Sequence, residues 1–206
     1  TGNIILRIAP TNFQQIRIAN GPDRLRLQVI KNWGAVQWSN MDSAFAGCSY
    51  VTFDQNSVSV PDLSQVQSTA YMFANCYWNE GNAAFASWNT SNIVNMKGMF
   101  MNCKFNQNIN NWDVSNVTDL SSMFCGAWLF NQPIGNWDVG DVTDMSEMFV
   151  QAYKFNQPIG NWDVGKVTNM SRMFYEDTAF NQPIGNWNTG HVNNMNVMFY
   201  KAMHFN

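Results

Sequence analysis

Apolar residues recur along this chain with a long period that belongs neither to a helix nor to a strand. Trp112, Trp137, Trp162 and Trp187 are 25 residues apart, as are Phe105, Phe130, Phe155, Phe180 and Phe205, and Phe124, Phe149, Phe174 and Phe199 keep the same step. A fixed period of this size marks stacked units, each burying its apolar face against its neighbours. From Trp137 to Phe149 is twelve positions, and the same ruler finds the degenerate units Trp88 to Phe100, Pro61 to Phe73 and Trp33 to Phe45. The array therefore has seven registers starting near Trp33 and breaks off in an eighth at Phe205-Asn206.

Within one unit the apolar positions are Phe130, Ile134, Trp137, Val139, Val142, Met145, Met148 and Phe149, too irregular for a single helix and too long for a single strand. The pattern predicts short strands at Pro133–Val139 and Val142–Met145, a helical turn at Ser146–Ala152, and corners at Gly135 and Gly140. The expected fold is thus an α/β repeat solenoid, a coil of short parallel strands and helical turns over residues 33–206. Residues 1–32 read as an N-terminal β cap, or as the end of a preceding β-domain. There Ile4–Ile8, Ile16–Ile18 and Leu25–Val29 alternate around a turn at Asn20-Gly21-Pro22-Asp23. The early units carry longer connections, Gly47–Val60 and Asn75–Ser87, which read as loop variation on one face.

Stacking places equivalent residues of successive units about 4.8 Å apart, so identity becomes a ladder. Asn106, Asn131, Asn156 and Asn181 form one, and Asn111, Asn136, Asn161 and Asn186 another. Both suit side chains that hold turns. Gln107, Gln132, Gln157 and Gln182 form a third beside an outward strand, as a candidate ligand-binding face or a solvated edge, and the early loops are the alternative site.

Composition narrows the chemistry. Charged residues are only 12% of the chain and aromatics 15%, the net charge is −3, and the 11 Lys and Arg residues form no basic run, which excludes nucleic acid as a partner. No apolar run reaches the roughly 20 residues a membrane helix needs, so this segment is expected not to insert in a membrane. Thr1–Ile5 lacks the features of a signal peptide, which leaves the cellular address open. With two histidines, no Gly-x-Ser-x-Gly, no phosphate loop and carboxylates spread by repetition, the chain is not expected to be an enzyme or to hold a cofactor.

Three smaller features carry two readings each. Cys48, Cys76 and Cys103 share one register, three residues after the unit Phe, and Cys125 follows Phe124 directly. Equal register brings Cα atoms within disulfide range, so Cys48–Cys76 and Cys103–Cys125 are expected bridges, with buried free thiols as the alternative. No Cys-x-x-Cys pair is present, and His191 and His204 are remote, so no metal site is expected. Asp113, Asp138 and Asp163, with Asp119 and Asp144, suggest either calcium or turn capping, and exchange with Asn89, Asn188 and Asn169 favours turns. Thr118, Thr143 and Thr168 make one short file, a thin basis for ice binding.

The phrase Phe130-Asn131-Gln132-Pro133-Ile134-Gly135-Asn136-Trp137-Asp138-Val139, followed by Val142-Thr143-Asp144-Met145 and Met148-Phe149, resembles the unit of BspA-like leucine-rich-repeat surface proteins, also found in mycoplasma surface lipoproteins. Trp33-Gly34, Gln37-Trp38-Ser39 and Pro61-Asp62-Leu63-Ser64 resemble the first units of such proteins, so the likeness spans about Leu27 to Asn206. It implies a right-handed leucine-rich-repeat-like coil, extracellular or on a microbial cell surface, without shared catalytic residues. The implied function is adhesion or recognition, with a host-cell or environmental protein or glycan, or neighbouring domains of a longer surface protein, as partner. The alternative is a rigid spacer in a large adhesin.

Overall fold

The computed structural model describes residues 13–19, 21–54, 59–77 and 83–206. It is not an α/β repeat solenoid. Among these residues regular secondary structure is confined to two 3-10 turns, Pro22–Leu25 and Ala83–Ser87, and one parallel pair of two-residue strands, β1 (Val29–Ile30) against β2 (Thr52–Phe53). No helix forms over 146–152, 133–139 holds one turn at 135–136, and 142–145 is irregular with Asp144 as its single bridging residue. The leucine-rich-repeat-like coil of strands and helical turns is therefore overturned.

The reason lies in the backbone of the Met-Phe segment. Glu147 and Gln151 have φ of 59° and 55°, and the left-handed region ends any right-handed helical run. The same pair of positions, four residues apart, recurs as Ser43/Gly47, Tyr71/Asn75, Gly98/Asn102, Ser122/Gly126, Arg172/Glu176 and Val197/Lys201. Apart from Gly34, every described residue with positive φ falls in one of these seven pairs. A non-glycine residue there costs about 1–2 kcal/mol, so something must offset it. The offset is a hydrogen-bond ladder between units. Leu120, Ser122, Phe124 and Gly126 donate their N–H groups to the carbonyls of Asp144, Ser146, Met148 and Val150 at 2.7–3.0 Å. The intervening Met123, Cys125 and Ala127 donate to Leu120, Ser122 and Phe124 within their own unit. Alternate amides thus serve the neighbour and the turn, which satisfies the buried backbone without strand or helix.

Parallel bridges at a single column, Asn95↔Asp119, Asp119↔Asp144, Asp144↔Asn169 and Asn169↔Asn194, hold the units in register. Behind them runs a continuous core. Phe124, Phe149 and Phe174 are fully buried and stack at 5.6–5.8 Å, while Phe130, Phe155 and Phe180 form a second file at 5.9–6.1 Å. Each indole N–H of Trp137, Trp162 and Trp187 donates to the carbonyl of the Ile in the preceding unit, Ile109, Ile134 and Ile159, at 3.1–3.2 Å. Gly135 is required by close approach, because a Cβ there would be driven into the carbonyl oxygen of Pro158.

At the other end, Gln15 bridges Asn40 in parallel and Ile18 N–H donates to Ala44. The strand expected at Leu25–Val29 is displaced: Pro22–Leu25 is a 3-10 turn, and pairing begins at Val29. The strand expected at Ile4–Ile8 lies outside the described residues.

Candidate functional site

Of the two Asn ladders, Asn111, Asn136, Asn161 and Asn186 are exposed, whereas the other is occupied by the protein itself. Asn131, Asn156 and Asn181 receive no free edge: their N–H groups donate to the side-chain oxygens of Asn106, Asn131 and Asn156 at 2.9–3.0 Å. The Gln file bonds to the same acceptors. Gln132, Gln157 and Gln182 donate from Nε2 to Oδ1 of Asn106, Asn131 and Asn156 at 2.8–3.1 Å, and all are half-buried. Gln107 opens this file and is also half-buried. Each Asn oxygen therefore accepts two bonds from the next unit, and in the last three Gln residues the amide N–H is spent on packing.

The carboxylates sit at turns. Oδ1 of Asp113, Asp138, Asp163 and Asn188 accepts the N–H two residues on, from Ser115, Gly140, Gly165 and Gly190, at 2.9–3.2 Å. At the bridging column Asn95, Asp119, Asp144, Asn169 and Asn194 do the same at 2.7–3.1 Å. Asp and Asn exchange freely because the turn uses one side-chain oxygen as acceptor, which both residues supply. The hydroxyl and N–H of Ser115 hold the Asp113 carboxyl below its ordinary range, as those of Ser64 do for Asp62. Among the described residues no three His, Cys, Asp or Glu side chains gather as a metal site. The Thr143 and Thr168 hydroxyls donate to the carbonyls of Thr118 and Thr143, both at 3.1 Å.

The expected disulfides are not formed, and Cys48, Cys76, Cys103 and Cys125 are free thiols. Cys76 Sγ lies 3.3 Å from the Phe45 carbonyl oxygen, and Cys103 Sγ lies 2.7 Å from that of Cys76, so these thiols donate to the preceding unit instead of meeting each other. Cys125 stands out of the column. The residue in register with Cys103 is Ala127, whose N–H closes the turn on Phe124. Burial raises all four thiols, Cys48 and Cys125 to about 11 and Cys103 to about 12, so they are poor nucleophiles.

That column continues Ala127, Ala152, Asp177, Ala202. Asp177 is fully buried; Oδ1 accepts the Ala179 N–H at 3.2 Å, while Oδ2 has no partner. Desolvation raises its carboxyl to about 8.

One edge is left over. Between the small-residue column and the next Phe stand Lys104, then Trp128-Leu129, Tyr153-Lys154, Thr178-Ala179 and Met203-His204, and no carboxylate is among them. Tyr77 belongs to the same corner, since its N–H donates to Ser49 and its ring lies 6.1 Å from that of Trp128. Tyr77, Leu129 and Tyr153 are 46%, 42% and 41% exposed, and Tyr50, one residue beyond Ser49, is 66% exposed. Sequence reasoning passed over this corner because it followed the invariant positions. The signal available was an aromatic residue, Trp128 or Tyr153, two positions before the second Phe of the unit and outside the buried pattern.

The αL face is also outward, but its side chains answer each other along the stack. Arg172 pairs with Glu147 at 3.4 Å, Lys201 with Glu176 at 2.9 Å, and Gln151 donates to Glu176 at 2.9 Å.

The family model described as "Mycoplasma protein of unknown function, DUF285" matches the chain at residues 19–109, 39–152 and 101–206, three overlapping stretches that together run from 19 to 206. No curated protein and no solved structure matches it. Among the described residues no helix is long and apolar enough to cross a membrane.

Proposed function

Because the chain belongs to the family described as Mycoplasma protein of unknown function, DUF285, we propose that it is a non-catalytic recognition module, displayed on or secreted from a microbial cell surface. It adheres to a macromolecule of a host cell or of the environment, with neighbouring domains of a longer surface protein as further contacts. The observation that carries this reading is the corner of Tyr77, Trp128, Leu129 and Tyr153. Tyr77, Leu129 and Tyr153 are exposed there along the stack with Trp128 half-buried beside Tyr77, whereas the columns of Asn131, Gln132, Asp138 and Thr143 bond within the protein. Aromatic side chains in that setting offer contact area at low entropic cost.

A spacer is the second reading, favoured by the unbroken Phe files and the unit-to-unit ladder, which make a stiff rod. Two deletions of equal length separate them. Removing 131–155 takes out Tyr153 and Lys154, whereas removing 156–180 takes out Thr178 and Ala179, and both keep the register. A recognition module loses binding to intact cell surfaces with the first deletion and keeps it with the second. Equal behaviour of the two contradicts the recognition reading.

A further inference from the structure

We propose that the groove between the Pro-Ile-Gly-Asn turns binds a neutral linear polysaccharide, whose hydroxyls bond to the side-chain amides of Asn136, Asn161 and Asn186. The site is built from other residues than the corner of Tyr77 and Tyr153 and goes beyond the recognition reading. Its first support is a polar file that the stack leaves unused. These three residues, with Asn111 at the head of the file, are exposed, and among the described residues their side chains have no hydrogen-bond partner. The turn does not call for asparagine. It is closed by the N–H groups of Trp137, Trp162 and Trp187, which donate to the carbonyls of Ile134, Ile159 and Ile184 at 3.1–3.2 Å. None of its residues has the positive φ that favours Asn. The expectation that this ladder holds turns therefore fails, whereas Asn106, Asn131 and Asn156 each accept two bonds from the next unit.

The second support is shape. Pro158, Gly160 and Asn161 of one unit, with Pro183, Gly185 and Asn186 of the next, line an open groove of about 320 Å³. Small-ligand sites span roughly 300–1,000 Å³, so the groove suits one ring of a chain that continues past it. A Cβ on Gly160 would be driven into the carbonyl oxygen of Pro183, so glycine keeps the floor bare. Among the described residues the N–H groups of Gly160, Asn161, Gly185 and Asn186 donate to nothing, and the floor as well as the rim offers hydrogen bonds. Pro133, Gly135 and Asn136 repeat the same residues one unit earlier.

The third support is the chemistry of the lining. No residue is charged over 131–137, 156–162 and 181–187. Asp138 and Asp163, next along the chain, each give an oxygen to their own turn. The indoles of Trp137, Trp162 and Trp187 are buried, so an apolar peptide finds no aromatic surface here. An ionic ligand finds no counter-charge. What is offered is amides, each with a donor and an acceptor, beside the C–H surface of proline rings. Adjacent hydroxyls and the C–H face of a neutral sugar match that set. Stacking about 4.8 Å apart puts the amides in a row, so contacts that are each weak sum along the ligand. The groove adds to attachment at the corner and does not replace it.

The test titrates the intact chain with three soluble neutral polysaccharides, dextran, mannan and laminarin, at low and high salt and at concentrations that fill a weak site. At least one of them binds saturably, to the same extent at both salt levels, because no ion pair is made. Asn136→Ala with Asn161→Ala and Asn186→Ala weakens that binding at least about tenfold, while thermal unfolding is unchanged, since these side chains make no bond within the protein. Trp128→Ala with Tyr153→Ala leaves it intact. Saturable binding of none of the three, binding indifferent to the Asn substitutions, or displacement by heparin overturns the proposal. Failure with all three polysaccharides alongside retained attachment to cell surfaces overturns it and leaves the recognition reading standing. Polysaccharide binding by a chain that attaches to no cell surface supports the groove and contradicts the recognition reading alone.

Discussion

The early units, from Trp33 to Lys104, and the later ones, from Phe105 onward, share one backbone ladder but pack their second aromatic differently. In the later units the pairs Phe124–Phe130, Phe149–Phe155 and Phe174–Phe180 lie face to face at 3.8–3.9 Å with planes within 12°. In the early units with inserted connections the contacts are edge-on: Phe53 and Phe85 meet Phe73 at 75°, whereas Phe105, which follows Phe100 without an insertion, stacks on it at 3.7 Å and 11°. The unit Phe file itself, Phe45–Phe73–Phe100–Phe124, stays parallel throughout, within 13°. Length accounts for the difference. Where the connection is constant, the second Phe arrives in the same place each time and stacks; where residues are inserted, it enters from the side. Face-to-face files depend on repetition, whereas edge-on packing tolerates irregular loops.

The largest predicted effect breaks the regular half. Phe149→Ala removes a fully buried ring that touches Phe124, Phe155 and Phe174, and should cost about 3–5 kcal/mol. Chemical denaturation should show this loss, and a loss under 1 kcal/mol would mean that the files are not continuous.

The next concerns Asp177, an acid in a column of alanines. Its folded pKa of about 8 lies above the ordinary 3.8, so the sign is destabilising at neutral pH. Below pH about 4 both states are protonated and no penalty exists. Between about 4 and 8 the unfolded chain ionises while the folded one does not, and stability falls by up to about 5 kcal/mol, then stays level above pH 8. Asp177→Ala should raise the melting temperature at pH 8 and flatten its dependence between pH 4.5 and 8. An unchanged melting curve would show that the carboxyl finds water or a partner.

Glycine sharpens the comparison at smaller scale. Gly135→Ala must move the Pro158 carbonyl and should cost about 1–3 kcal/mol, whereas Gly185→Ala meets nothing within 4 Å and should be neutral. Equal melting temperatures for the two would contradict the close approach. The smallest effect is kinetic. Lys154, Lys166, Arg172 and Lys201 are the tryptic sites after Phe105, and all lie within the stacked units, so native digestion of this half should be slow. Rapid cleavage at Lys154 or Lys166 would show a looser stack.

The period, the seven registers and the buried Phe, Trp, Ile, Val and Met positions were legible in the sequence, because burial repeats whenever residue type repeats. The backbone was not. Ser122, Glu147, Arg172 and Val197 occupy one αL column without any shared side-chain chemistry. Gly47, Gly98 and Gly126, with Asn75 and Asn102, hint at it, and the tertiary ladder overrides the helical preference of Ser146–Ala152. The cysteines misled for a related reason. Equal register implied proximity, but the Cys76 and Cys103 thiols donate to carbonyls of the unit before, and Cys125 stands out of the column. The exposed corner was passed over because repetition draws attention to Gln132 and Gln157, which the stack uses internally, and away from the exposed Tyr153 and the half-buried Trp128.

The central claim is that the stack uses the columns of Asn131, Gln132, Asp138 and Thr143 internally and that the corner serves the proposed recognition. Attachment of labelled protein to intact cell surfaces tests it most directly, comparing Trp128→Ala with Tyr153→Ala against Gln132→Ala with Gln157→Ala at matched thermal stability. The account predicts that the corner pair abolishes saturable binding and the glutamine pair retains it; binding lost with the glutamines and kept without the aromatics would contradict it.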